Sequence, residues 1–207
     1  MESIALTRCD GRPAPLATLE LSIVARPESA PKPAGPVIAA ALAHRTDPGP
    51  DVKLVGEGLV TRLQTVADHF DAAKVIIVSG YRPNSTGSFH QMAEALDLHF
   101  DGIPNEALVA FCRTLPDTGC GYYPNSSFVH LDVRPAHTGH VYWIDASGPG
   151  EAARYVSTWP MIEHEPAPCA EGARRDAWCA HIVRPDQLVA EPALAIVPDS
   201  AGDPFTP

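Results

Sequence analysis

His90, Asp97 and His130 are the residues in this chain whose types and order could do chemistry together. Two histidines and a carboxylate can form a three-ligand metal site with one position open, the arrangement of a catalytic rather than a structural zinc. Two further groups stand close in sequence to the last histidine. Asp132 lies two residues on, and a loop carries His137 and His140.

Such a site sets conditions on the elements that hold it. On one continuous helix, seven residues would separate His90 from Asp97 by roughly 10 Å. Metal bonds to nitrogen and oxygen are only about 2 Å long, so the chain must turn between the two. The alternation from Ala95 to Phe100 supports this. It predicts a strand with Leu96, Leu98 and Phe100 toward a core and Asp97 and His99 on the opposite side. His99 accordingly reads as a fourth ligand, a cleft residue or an exposed strand position. His90 then falls on the short helix or turn before the strand. Residues 128–133 alternate in the same way. Val129, Leu131 and Val133 form a core face, while Phe128, His130 and Asp132 share the other.

The neighbouring segments read as an α+β domain. Leu59, Leu63, Val66 and Phe70 recur at helical steps. Residues 74–79 form a β-branched run expected to be a strand buried on both faces. Residues 105–115 read as a second helix, and 121–123 and 142–145 as further strands. Helices followed by strands close in sequence predict a small antiparallel sheet with flanking helices.

Proline marks the boundaries. Eight of the 22 prolines lie in residues 1–50, eight in 160–207 and six between. Proline resists helix interiors and central strands. We expect a domain at 51–159 between irregular, proline-rich arms at 1–50 and 160–207. Residues 26–33 read as an extended linker, and 15–24 as a short helix or strand packing back on the domain.

Composition removes several function classes. The formal charge of −10 is opposite to the basic footprint of a nucleic-acid binder. No apolar run is long enough to span a membrane. The first residues lack the basic-then-apolar order of a signal peptide. Cysteine usage nevertheless suits an oxidising compartment: Cys112 and Cys120, and Cys169 and Cys179, are spaced for short disulfide loops, with Cys9 left over. The expected location is periplasmic or secreted, the export signal not being part of this sequence; the alternative is a cytosolic protein with five free thiols. Oligomeric state is not legible.

Ser88-x-His90-x-x-x-x-Ala95-x-Asp97 resembles the SxHxxGxAxD motif of the M15 peptidases. Ser79-Gly80-Tyr81-Arg82 resembles the lead-in of the same group. Gly121-Tyr122-Tyr123-Pro124 followed by Phe128-Val129-His130-Leu131-Asp132 resembles the DUF882 branch of murein endopeptidases. The resemblance covers about residues 56–146. It implies a hedgehog/DD-peptidase fold, Zn2+ on His90, Asp97 and His130, and peptidoglycan stem peptides or cross-links as substrate. It also implies that Arg82 holds a substrate carboxylate or carbonyl and that Ser88 supports the site by hydrogen bonding.

This sequence departs from the pattern twice. Ala93 replaces the motif glycine. Ser127 stands where a glutamate or aspartate usually exchanges the proton with the attacking water and the leaving amine. Asp132 is one alternative base, its other readings being an ion pair with Arg134 or Arg82 or a partner that orients a ligand. His137 or His140 is another. The third outcome is a zinc-containing cell-wall binding protein that hydrolyses nothing.

Overall fold

The two alternating stretches, 95–100 and 128–133, become neighbouring strands in the middle of a sheet, which is what brings the site residues together. The computed structural model describes residues 6–8, 10, 12–71 and 74–159. In chain order the helices are α1 (Ala17–Val24), α2 (Gly35–His44), α3 (Glu57–His69), α4 (Phe89–Met92) and α5 (Asn105–Cys112). The strands are β1 (Val75–Ser79), β2 (Ala95–Phe100), β3 (Thr118–Tyr122), β4 (Val129–Val133), β5 (His140–Asp145) and β6 (Tyr155–Val156). They form one six-stranded sheet in the order β1-β2-β4-β3-β5-β6. The chain is α+β, as expected.

One face of the sheet is the core. Leu96, Leu98 and Phe100 of β2 and Val129 and Leu131 of β4 pack with Leu59, Val60, Leu63 and Val66 of α3 and Leu108 and Val109 of α5. The apolar spacing along 59–66 therefore does what it predicts. A disulfide joins Cys112 at the end of α5 to Cys120 in β3. Cys9, Cys169, Cys179, His164, His181 and the C-terminal arm lie outside the described residues.

Three expectations need correction. First, β1 is only half-buried, with Val78 47% exposed. It is the edge strand, so its apolar run does not mark a strand covered on both faces. Second, the sheet is not wholly antiparallel, because β5 pairs parallel with β3. β4 already has β2 and β3 on its two sides. The chain leaving it must pass beyond β3, and there it runs in the direction of β3. Third, the stretch before residue 51 is not all irregular: 15–24 forms a helix packed back on the domain, as expected, and a second helix follows it. Ala17 and Leu21 of α1 and the following Ala25 belong to the main core, and α2 is helical despite its neighbouring prolines, with Pro36 placed in its first turn, where a missing N–H costs nothing. The linker at 26–33 contains no helix or strand.

Candidate metal centre

Residues 88–97 fold as a short helix, a tight stop and a strand. Ser88 caps α4, its hydroxyl accepting from the Gln91 N–H. Ala93 ends the helix in the left-handed region at φ 59°, the conformation for which the motif's glycine is suited. β2 starts two residues later, so the turn required between His90 and Asp97 is present. Across the sheet Asp97 is opposite His130, and His130 is opposite Gly121, which is opposite Trp143. One row of residues thus crosses four strands on the face away from the core.

Glycine is required in this row. A Cβ at position 121 would lie 2.6 Å from the Trp143 ring. Its absence lets that ring cross β3 to within 5.0 Å of the His130 ring, centre to centre. In the next row Gly119 leaves the same kind of space for Asp132, whose carboxylate would be 2.2 Å from a Cβ there.

His90, Asp97 and His130 are each about 3% exposed. His90 Nε2 lies 3.1 Å from His130 Nδ1, His130 Nδ1 lies 3.1 Å from Asp97 Oδ1, and His90 Nε2 lies 3.4 Å from Asp97 Oδ1. Tetrahedral ligands at about 2.0–2.1 Å from a metal are roughly 3.3–3.4 Å from one another, so the triangle has the size of one face of such a site. The outer ring nitrogens fix the tautomers. His90 Nδ1–H donates to the Gly80 carbonyl at 2.7 Å. His130 Nε2–H donates to Asp132 Oδ2 at 3.1 Å. The nitrogens facing inward then carry lone pairs, beside a carboxylate oxygen. Three buried acceptors converging without a proton fit a divalent cation. Burial, followed by the neighbouring His130 and Arg82, pushes the His90 imidazole down to about 2, so it stays in the neutral form that binds metal.

The surrounding groups hold these ligands. Arg82 pairs with Asp97 Oδ2, and its Nε donates to the Ser79 hydroxyl at 2.9 Å. Asp132 is fully buried and turned away from the triangle. It accepts from the Gly119 N–H at 3.0 Å, from Arg134 Nε at 2.8 Å and Nη2 at 2.7 Å, and from His130. Burial alone would raise its carboxyl, but His130 and Arg134 outweigh burial and hold it below the ordinary carboxylate range. Arg134 in turn lies over the Phe89 ring at 4.4 Å.

A cleft of about 560 Å³ opens above the triangle, with Arg82, Ser85 and Thr86 on one side and Tyr123, Trp143 and Asp145 on the other. Over residues 48–132 the chain matches the family model for peptidase M15. In this segment the chain is similar to the M15 peptidases.

Similar curated proteins carry one name. Peptidoglycan L,D-endopeptidase MepK of Escherichia coli strain K12 is 29% identical over 99 residues, 41% of this chain and 54% of the relative. The probable peptidoglycan L,D-endopeptidase MepK of Haemophilus influenzae is 30% identical over 79 residues, 32% of this chain and 42% of the relative. The chain spans about half the length of the curated relatives it matches. No solved structure matches.

Within residues 48–132, the structure brings together the three residues expected as ligands and sets Arg82 beside them. It does not bring the suggested bases into the cleft. Asp132 is on the far ring nitrogen of His130, the orienting position. His137 is exposed in the loop after β4, at φ 70°. That loop leads to His140, which is opposite Thr118, three residues along β3 from Gly121. Neither histidine lines the cleft. His99 is outside the triangle, its Nδ1 buried without a hydrogen-bond partner among the described residues. Ser127 is exposed. A cleft-lining residue that sequence reasoning missed is Asp145. Its one signal was a charge at the end of the apolar run 142–144.

Proposed function

We propose that this chain is a zinc-dependent peptidase that hydrolyses peptidoglycan stem peptides or their cross-links, in the manner of a murein endopeptidase or D,D-carboxypeptidase. The observation that carries this reading is the buried triangle of His90, Asp97 and His130, with unprotonated nitrogens directed inward, at the base of an open cleft within an M15-like segment. These three residues would hold zinc, a metal suited by two imidazoles and a carboxylate. Bound there, zinc would act as a Lewis acid toward a peptide carbonyl and make water more acidic.

The chain's own groups supply the rest. His90 and His130 are held in the required tautomers by Gly80 and Asp132. Arg82 is anchored through Ser79 and Asp97 with its side chain 42% exposed, which leaves guanidinium surface for a substrate carbonyl or carboxylate. We assign Asp132 an orienting role rather than that of the base. The hedgehog/DD-peptidase type of fold is part of the same proposal, as is a periplasmic or secreted location, with which the Cys112–Cys120 disulfide agrees.

A second reading has its own support. Ser127 occupies the usual place of the base, and Asp132 and His137 lie off the cleft. A zinc-containing cell-wall binding protein without hydrolytic activity would look like this. Digestion of purified peptidoglycan by zinc-loaded protein separates the two, with His130→Ala as the blank. Cleavage that disappears in the blank supports the peptidase. Stoichiometric zinc with no cleavage across several peptidoglycan types supports the binding protein.

A further inference from the structure

We propose that Asp145 is a specificity-determining residue that receives an ammonium group of the peptide in the cleft; this rests on reading the cleft as a peptide site. Asp145 ends β5 two residues after Trp143, so both side chains face the cleft. It is 6% exposed. Its Oδ1 accepts from the backbone N–H groups of Ser147 and Arg154, both at 2.9 Å. Oδ2 makes no hydrogen bond or ion pair among the described residues. The other carboxylate lining the cleft, Asp97, is committed to the histidines and Arg82. Asp145 is thus a fixed negative charge at the cleft wall with one oxygen unused.

Position separates it from the reacting centre. Trp143 is opposite Gly121, and Gly121 is opposite His130. Two strand spacings of about 4.8 Å and a two-residue advance of about 6.7 Å put the backbone of Asp145 roughly 12 Å from that of His130. A general base must come within hydrogen-bond reach of its proton, directly or through one water. From this distance Asp145 instead meets the substrate about three or four residues away, or at the end of one long side chain, since an extended chain advances about 3.3–3.6 Å per residue.

The surroundings select the ligand. Tyr155 of β6 is opposite Asp145, and Trp143 precedes it by two residues. Aromatic faces beside a carboxylate favour a compact organic cation. A hard metal ion would require several more oxygen ligands.

The test uses a synthetic stem tripeptide, L-alanyl-γ-D-glutamyl-L-lysine, and its two monoacetylated forms, blocked at either the α-ammonium or the lysine side chain. Each is titrated calorimetrically into the zinc-loaded full chain and into Asp145→Asn, which keeps the Oδ1 acceptor. We expect one of the two acetylations to weaken binding to the parent about tenfold or more, which identifies the ammonium, and that penalty to vanish in Asp145→Asn. Carbodiimide coupling of the unmodified peptide to the parent should yield an amide at Asp145 by mass spectrometry. This second measurement stands even where the variant fails to fold. Equal binding of all three peptides, a penalty that persists in Asp145→Asn, or coupling that never reaches Asp145 would overturn the proposal. Peptidoglycan cleavage by a parent indifferent to acetylation sinks the subsite alone. Discrimination by a parent that cleaves nothing sinks the peptidase reading alone.

Discussion

Asp132→Asn should weaken the fold and the metal site together. Asp132 accepts from four donors, two at each oxygen: Gly119 N–H and Arg134 Nε at Oδ1, His130 Nε2–H and Arg134 Nη2 at Oδ2. An asparagine amide has one acceptor oxygen, so either orientation sets its NH2 against two donors. With the NH2 at the Oδ2 position, His130 can regain a bond only by moving its proton to Nδ1, where it would point into the triangle. The buried Arg134 also loses its counter-charge. Breaking one side of a buried pair costs about 3–5 kcal/mol. At about 2–4 °C per kcal/mol for a chain of this size, the melting temperature should fall roughly 6–20 °C. Loss of an orienting partner should lower metal affinity about 10- to 100-fold. Thermal melts of metal-free protein and zinc titration against a competing chelator read the two effects. Adding Arg134→Met should recover part of the stability and none of the affinity. Unchanged melting and zinc affinity, with activity lost, would refute this account and make Asp132 the base after all.

Two further outcomes follow from the same geometry. His90 is pushed down to about 2 from an unfolded value near 6.5. The unfolded chain therefore binds the extra proton, and metal-free protein should lose about 1.4 kcal/mol per pH unit as pH falls below about 6.5. Melts between pH 6.5 and 5 check this, and His90→Gln should flatten the slope; stability that is level or rises toward pH 5 would contradict it. Gly121→Ala puts a methyl against the Trp143 ring and should cost about 1–3 kcal/mol by overpacking, seen as a lower melting temperature and a shifted Trp143 fluorescence in a chain lacking the other tryptophans.

Alternation carried most of the site's legibility. It put Asp97 and His130 on the faces opposite Leu96 and Leu131, and the structure agrees. Alternation names a face but not a neighbour. It could not show that β5 lies beyond β3 and runs parallel to it, because strand order depends on contacts distant in sequence. Asp145 was missed for that reason: its place in the cleft follows from β5 lying beside β3. It also says that His130 and Asp132 share a face, but not which ring nitrogen each neighbour takes. The answer depends on the space left by Gly119. The element at 15–24 is legible as one that packs back on the domain, and α1 does so; it is α2, with Pro36 in its first turn, that the proline content hid.

The chain reads its core and its site from the same two strands, Leu96 and Leu98 enclosing Asp97, and Val129 and Leu131 enclosing His130. A slip of one residue in β2 or β4 would exchange the two faces completely. Such a slip would bury charge and expose leucine, so the ligand triangle cannot change register while the core stays whole. Metal capacity should therefore count molecules with an intact sheet. In a population of damaged or partly folded chains, metal bound per mole would then be a census of native register rather than a measure of affinity.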